Sequence, residues 1–322
     1  MRRKNLVRTF TALALGVTFT LAQAATTAFP DRPIRLVIGS APGSGPDIIS
    51  RLVADHLYGA WGQRMVVDSR PGVAGILSAD IVKRAEPDGY TWMMLTSQLL
   101  VATNVFSNHT VDLAKDFSSI SLIGTVPFVL VVNPQVSAKS IPELIALAKK
   151  SQPNLRYGSA GTGASEHLCG FLFTRMTGTS MLHVPYKGVA QAVGDTMSGE
   201  VHLTYGVLPA VLPMVTAGRV RALGVTTPKR APLLPDVPAI GEFVPGYANY
   251  GWYSLVAPTG TPQPIIVKAS DEVVKAAKQP QFGERLMKLG IDIIGGPRAE
   301  LDAFRADQTK RIRELAKALD QK

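Results

Sequence analysis

Cys169 is the single cysteine among 322 residues, so no internal disulfide can form and the fold has to rest on core packing. It sits in "LCGFLF", an apolar helical stretch that suits a buried, inert thiol. Only 18% of the residues are charged. With 46% hydrophobic residues, that excludes a disordered chain and fits packed α/β structure. Basic residues form no stripe with interleaved aromatics, so nucleic acid is not an expected partner. The five histidines (His56, His109, His167, His183 and His202) show neither H-E-x-x-H spacing nor cysteine partners, so no metal site is expected. Neither G-x-x-x-x-G-K-[ST] nor G-x-S-x-G occurs, which argues against a phosphate loop and a hydrolase elbow. A complete G-x-G-x-x-G is missing too. After Gly43 and Gly45 the third position is Ile48, and after Gly161 and Gly163 it is Glu166. No cofactor is therefore expected.

Long apolar runs are scarce, with one informative exception at the start. "MRRKNLVR" is basic, "TFTALALGVTFTL" is an apolar run, and "AQA" has the small-x-small form of a cleavage site. This pattern predicts a signal peptide over residues 1–24, cut between Ala24 and Ala25, and hence export to the periplasm. The run is shorter than the roughly 20 residues that a spanning helix needs. Without the leader the basic excess shrinks from +10 and is spread along the chain. Such a mild bias raises the local concentration of anions.

What the sequence does contain is alternation. "IRLVIGS" (34–40), "RMVVDSR" (64–70) and "TWMMLTS" (91–97) read as strands, with helices expected near 46–60 and 75–85. This β-α-β-α-β order predicts parallel strands with crossover helices. "ISLIGTVPFVLVVNP" (120–134) is too long for one strand and is interrupted by Pro127, so it is expected to cross between two domains. Ser140 and Glu143 mark a capping box for the helix after it. "VRALGVTT" (220–227) reads as a second crossing, and helices are expected near 262–277 and 298–319. The expected organisation is a discontinuous lobe of residues 25–124 plus 228–322, with residues 125–227 inserted as the second lobe.

Two stretches are near-copies, "GSAPGSGPDII" (39–49) and "GSAGTGASEHL" (158–168). Each follows a strand and opens a helix. A glycine turn in that place leaves backbone N–H groups unobstructed, and the helix behind it adds about half a positive charge. Such a turn holds an anion without Lys or Arg. Micromolar binding needs about 8 kcal/mol, and a favourable helix terminus supplies at most about 2, so two turns closing on one ligand are expected. The candidate ligand contacts are Ser40, Ala41, Gly43, Ser44, Gly45 and Asp47 in the first loop, and Ser159, Gly161, Thr162, Ser165 and His167 in the second. Ser97, Tyr205 and Gly206 are further candidates. Asp47 reads foremost as a cap on its own loop amides. A competing reading, an exported envelope enzyme acting on a small acid, would use Asp47 or His167 as base.

The ordered blocks along the chain resemble one family. "DRPIRLVIGSAPGSGPDIISR", "RPGVAGILSADIVKRAEPDGYT", "YGSAGTGASEHL", "VPYKG", "VAPTGTP" and "PRAELDAF" are similar to motifs of the tripartite tricarboxylate transporter receptors, the Bug-type periplasmic binding proteins. The resemblance spans the chain beyond the leader. It implies a two-lobed Venus-flytrap fold, type II-like, closing on a small carboxylate held around Ser40–Asp47 and Ser159–Ser165. The implied partner is a membrane permease of one large and one small subunit; the expected role is to deliver the ligand to such a transporter or to report it to a sensor, with the receptor itself a monomer. In one place the chain departs from the pattern: Gly206 and Val207 stand where the family commonly has Asp-Asn, and His202 where an acid is usual. A less charged distal group on the ligand, aromatic or aliphatic and without an amino group, is the expectation that follows, with Tyr205 or Trp252 as its packing surface.

Overall fold

The computed structural model describes residues 29–106, 108–150 and 155–320; the expected leader lies outside the described residues. The first lobe opens with β1 (Ile34–Ile38), α1 (Gly45–Trp61), β2 (Met65–Ser69), α2 (Ile76–Lys83), β3 (Thr91–Thr96) and α3 (Ser97–Val105). β1 pairs in parallel with both β2 and β3, as the alternating pattern predicts. The next element, β4 (Phe117–Val126), ends one residue before β5 (Phe128–Val132) begins. Pro127 separates them, and each belongs to a different sheet.

The second lobe continues with α4 (Ile141–Lys150), β6 (Arg156–Ser159), α5 (Ser165–Thr177), β7 (Leu182–Pro185), α6 (Val189–Ser198), β8 (Leu203–Val207), α7 (Leu208–Thr216) and β9 (Arg221–Val225). The chain then returns through β10 (Gly251–Pro258), α8 (Gln263–Ala277), α9 (Pro280–Lys288), β11 (Asp292–Gly296) and α10 (Arg298–Asp320). Strand order is β11-β4-β10-β3-β1-β2 in the first sheet and β7-β6-β8-β5-β9 in the second. Two mixed α/β lobes joined by connecting segments are the architecture that the resemblance implied.

Period-two alternation sorts the side chains to both faces of each sheet. Ile34, Leu36 and Ile38 pack with α1 and α8 residues in one core, while Val37, Met93 and Leu95 join Leu99 and Leu301 in another. In the second lobe Leu130, Tyr157 and Leu203 pack with Phe173, and Val129 and Val131 with Leu208 and Val211. The return crossing comes later than expected. Residues Ala231 and Ala239, then Ile240, Val244 and Tyr247, still pack on the second lobe, and the chain rejoins the first sheet only at Gly251. An apolar strand run does not reveal which sheet it joins, so 220–227 reads as a crossing although β9 lies inside the second sheet.

The expected Ser140–Glu143 capping pair forms in a shifted version: the Glu143 N–H donates to Ser140 Oγ (3.3 Å), while the Glu143 carboxylate takes the Lys139 N–H (2.9 Å) and the Ser140 hydroxyl (3.1 Å) rather than the Ser140 N–H. Ser140→Ala is expected to cost about 1 kcal/mol, read as a lower urea midpoint without a change in slope.

Candidate functional site

Strands β1, β3, β6, β7 and β8 each lead into a helix. The N-termini of α1, α3, α5, α6 and α7 therefore gather at the carboxyl ends of the strands, the ligand side of open α/β sheets. They border one cleft of about 790 Å³ lined from both lobes. The first lobe contributes Ser40, Ala41, Gly43, Ser44 and Gly45, with Thr96, Ser97 and Gln98 from the start of α3. The second contributes Ala160, Ser165 and Glu166, with Lys187 and Gly188 before α6. Five helix N-termini supply partial positive charge, whereas Lys187 is the one cation among the lining residues. Anion binding here rests on the main chain. The cleft's apolar side is built from Val126, Phe128, Val207 and Ile291.

The two glycine turns have the same internal geometry. Gly43 and Gly163 both have φ +79°, a left-handed conformation that favours glycine. Ser44 and Ala164, the N-caps of α1 and α5, are both extended. The Ser44 N–H donates to the Ala41 carbonyl (3.2 Å), and the Ala164 N–H to the Gly161 carbonyl (3.1 Å). Four residues after each left-handed glycine, a side chain turns back to hold its amide. Gly43 N–H donates to Asp47 Oδ2 (2.9 Å), and Gly163 N–H donates to His167 Nδ1 (3.1 Å). The Gly-Ser-Ala triplets are offset by one residue less than the turns, so the second loop has one extra residue ahead of its turn.

Seven sequence candidates thus line the cleft: Ser40, Ala41, Gly43, Ser44, Gly45, Ser97 and Ser165. Ser44 Oγ is buried with no partner among the described residues. The other candidates lie behind this surface. Asp47 is held beneath its own loop, and the Arg51 guanidinium (3.0 Å) keeps its carboxyl below the usual range against the cost of burial. His167 has the equivalent place under the second loop. Ser159 Oγ accepts from the Gly161 N–H (3.1 Å) and meets His183 Nε2 at 2.6 Å. Gly161 and Thr162 shape the loop without lining the cleft. Tyr205 is fully buried in the second lobe's core. A Cβ at Gly206 would come within 2.2 Å of Val211 Cγ1, so that glycine lets α7 lie against β8. Trp252 packs edge-on to Phe304 in a core of the first lobe. Neither Tyr205 nor Trp252 is a wall of the cleft; Phe128 and the aliphatic side chains replace them.

The model of the tripartite tricarboxylate transporter family receptor matches residues 49–320. The chain belongs to this family. A Pseudomonas sp. (strain P51) relative described as a UPF0065 protein in the tcbD-tcbE intergenic region is 36% identical, covering 94% of this chain and 91% of its own. Among solved structures, R. palustris Rpa4515 with adipate is 34% identical with a TM-score of 0.79, covering 90% of this chain and 97% of that one. The periplasmic binding protein BugD is 30% identical with a TM-score of 0.76, covering 90% and 98%. The protein is accordingly a periplasmic solute-binding receptor of a tripartite tricarboxylate-type carboxylate transporter.

In this receptor the second loop rests on a pair of imidazoles, His167 buried and His183 half-buried. His167 and His183 stack with centroids 4.0 Å apart. Burial lowers the pKa of His167, and burial together with His167 lowers that of His183 to about 4. The neutral state is required, because Nδ1 of His167 accepts the Gly163 amide proton. Cys169 lies two residues beyond His167 on α5, on the helix's other side, buried, and accepts from Asn249 Nδ2 (3.1 Å). Burial pushes its thiol up, as suits an inert side chain.

Sequence reasoning passed over two features of the cleft. One is Thr96, the cap of α3 next to the candidate Ser97, whose Oγ1 accepts from the Leu99 N–H (3.4 Å). Thr96 followed three residues later by an apolar pair was the available signal. The other is Glu166, the one carboxyl that lines the cleft, for which the sequence carries no signal at all. It is 9% exposed.

Proposed function

We propose that this receptor captures a small organic acid by clamping its carboxylate between the two glycine turns as the lobes close. The observation that carries this reading is that the matched turns, one per lobe, meet at one cleft, the first through Ser40–Gly45 and the second through its flanks at Ala160 and Ser165. The moving bodies are the described residues of 29–126 with 251–320, and those of 128–247; the short link at Pro127 and the return near 248–250 form the hinge. Ser44 and Ser165 add hydroxyl donors to the amides. Val126, Phe128, Val207 and Ile291 favour a ligand whose body is an aliphatic chain or an aromatic ring, in keeping with the adipate of the solved relative.

The loaded receptor then passes the acid, as a monomer, to a permease with one large and one small membrane subunit. Export by a leader cut after Ala24 brings it to that partner. The enzyme alternative loses its candidate bases, because Asp47 and His167 are engaged with the Gly43 and Gly163 amides and do not line the cleft.

The test is calorimetry and thermal unfolding with adipate, benzoate and aspartate. Saturation at one site is expected for adipate or benzoate, with a stabilisation of about 2.7 kcal/mol at 100 times Kd. Equal affinity for aspartate would overturn the apolar distal subsite. No binding of any of the three, or turnover without a stoichiometric shift, would overturn the receptor reading for this cleft.

A further inference from the structure

Glu166 stands where an anion receptor should least tolerate a carboxylate. It is the second residue of α5 and lines the cleft beside Ser165. It forms no ion pair among the described residues, and the hydrogen bond to its carboxyl comes from its own main-chain N–H. Two groups face it electrostatically: the Tyr253 hydroxyl, from β10 on the opposite lobe, and the Cys169 thiol on its own helix. Both are uncharged at neutral pH, since burial pushes Tyr253 up to about 12 and raises Cys169 as well. His167, its neighbour in sequence, is held neutral as well. The cation of the cleft, Lys187, is exposed on the turn before α6.

We propose that Glu166 is a specificity-determining residue: it shares the cleft with the ligand as carboxyl to carboxylate, donating its O–H to the bound anion, and repels that anion when ionised. The inference rests on the carboxylate-receptor reading and sharpens it. Two carboxylates held close together cannot both stay ionised, and one of them takes up a proton. Burial already raises Glu166 to about 7, while the ligand, fresh from water, arrives ionised. Glu166 is therefore the group that keeps the proton. An O–H aimed at the ligand selects acceptors, so acids are favoured over zwitterions, whose ammonium would need an ionised Glu166. Capture is tightest in mildly acidic medium and becomes coupled to proton uptake as pH rises.

The experiment is calorimetry with adipate, benzoate and aspartate from pH 6 to 8, repeated in buffers of different ionisation enthalpy. For the wild type, Kd for adipate or benzoate is expected to rise about tenfold from pH 6 to 8, as the protonated fraction of a group titrating near 7 falls by that factor. Proton uptake per ligand approaches one at pH 8. Glu166→Gln keeps a donor at every pH, so its Kd should change less than threefold over the range, with no uptake. Glu166→Leu should bind more weakly than Glu166→Gln at both ends, with melting curves confirming that both variants are folded. A wild-type profile that is flat and free of proton uptake overturns the role of Glu166 alone. So does tighter aspartate binding at higher pH. A wild type that binds none of the three acids between pH 6 and 8 overturns the carboxylate reading itself.

Discussion

Gly45→Asp is expected to abolish carboxylate capture while leaving the receptor folded. Gly45 is the first residue of α1 and lines the cleft. A Cβ there would meet the Tyr253 hydroxyl at 3.2 Å, a tight approach that the tip of that side chain must relieve by a few tenths of an ångström, and it would precede Pro46 in the first helical turn, where glycine is the easier residue. An acid in the first turn of a helix is itself favourable. Stability should fall by about 1–2 kcal/mol, from the tight contact and the lost glycine, too little to unfold the receptor, whereas the new carboxylate occupies the place that the amides offer to the ligand. Affinity for adipate or benzoate should fall at least a hundredfold, or about 2.7 kcal/mol. Calorimetry and a melting curve on the same sample read both effects. Binding retained within threefold would mean that the first glycine turn does not hold the anion.

Acid should weaken the second lobe through its imidazole pair once the opposing titration of Glu166 is removed. His183 has a folded pKa of about 4, below an unfolded value near 6.5. Its contribution is present in full above the unfolded value and is lost as pH falls through the folded one. His167 is shifted in the same direction. Glu166 acts oppositely. Its folded pKa of about 7 lies above the ordinary carboxylate range, so its contribution is full at low pH and is lost as pH rises through 7. Over the interval between about 4 and 6.5 the two trends offset each other in the wild type. Glu166→Gln removes one of them. That variant is expected to lose roughly 2–3 kcal/mol of stability between pH 6.5 and 4.5 relative to the wild type. His183→Gln should show the reverse, gaining relative stability over the same interval. Urea unfolding at several pH values measures both, and parallel curves for all three proteins would exclude the opposed titration.

The second prediction depends on a residue pair that no sequence pattern suggested, which shows where legibility ended. The turns were legible because their chemistry is local. A left-handed glycine, an extended cap and a helix start lie within five residues of one another, and the near-repeat announced that both turns share one geometry. Most strands and helices of the first lobe were legible for the same reason: their apolar alternation and capping residues are short-range signals. The start of α7 was not, because Pro209 and Pro213 obscure its helical pattern. β9 was misplaced because a β-branched run fits either sheet equally well.

Side-chain direction near the loops was harder still. Asp47 and His167 stand at matched positions, and both turn inward to hold a glycine amide; Glu166, one residue before His167, borders the cleft. Neighbouring residues on a helix differ by about 100° in direction, and which direction meets the other lobe depends on how the lobes dock. The sequence by itself determined that this chain builds two amide-lined turns at strand–helix junctions and supplies them with few charges. Tertiary structure decided that five helix N-termini share one cleft, that Tyr205 and Trp252 are core residues, and that a lone carboxyl stands among the anion-binding groups. The physical reason is range: turn and helix chemistry acts over a few bonded neighbours, whereas the field and burial that set Glu166 and His183 come from groups distant in the chain.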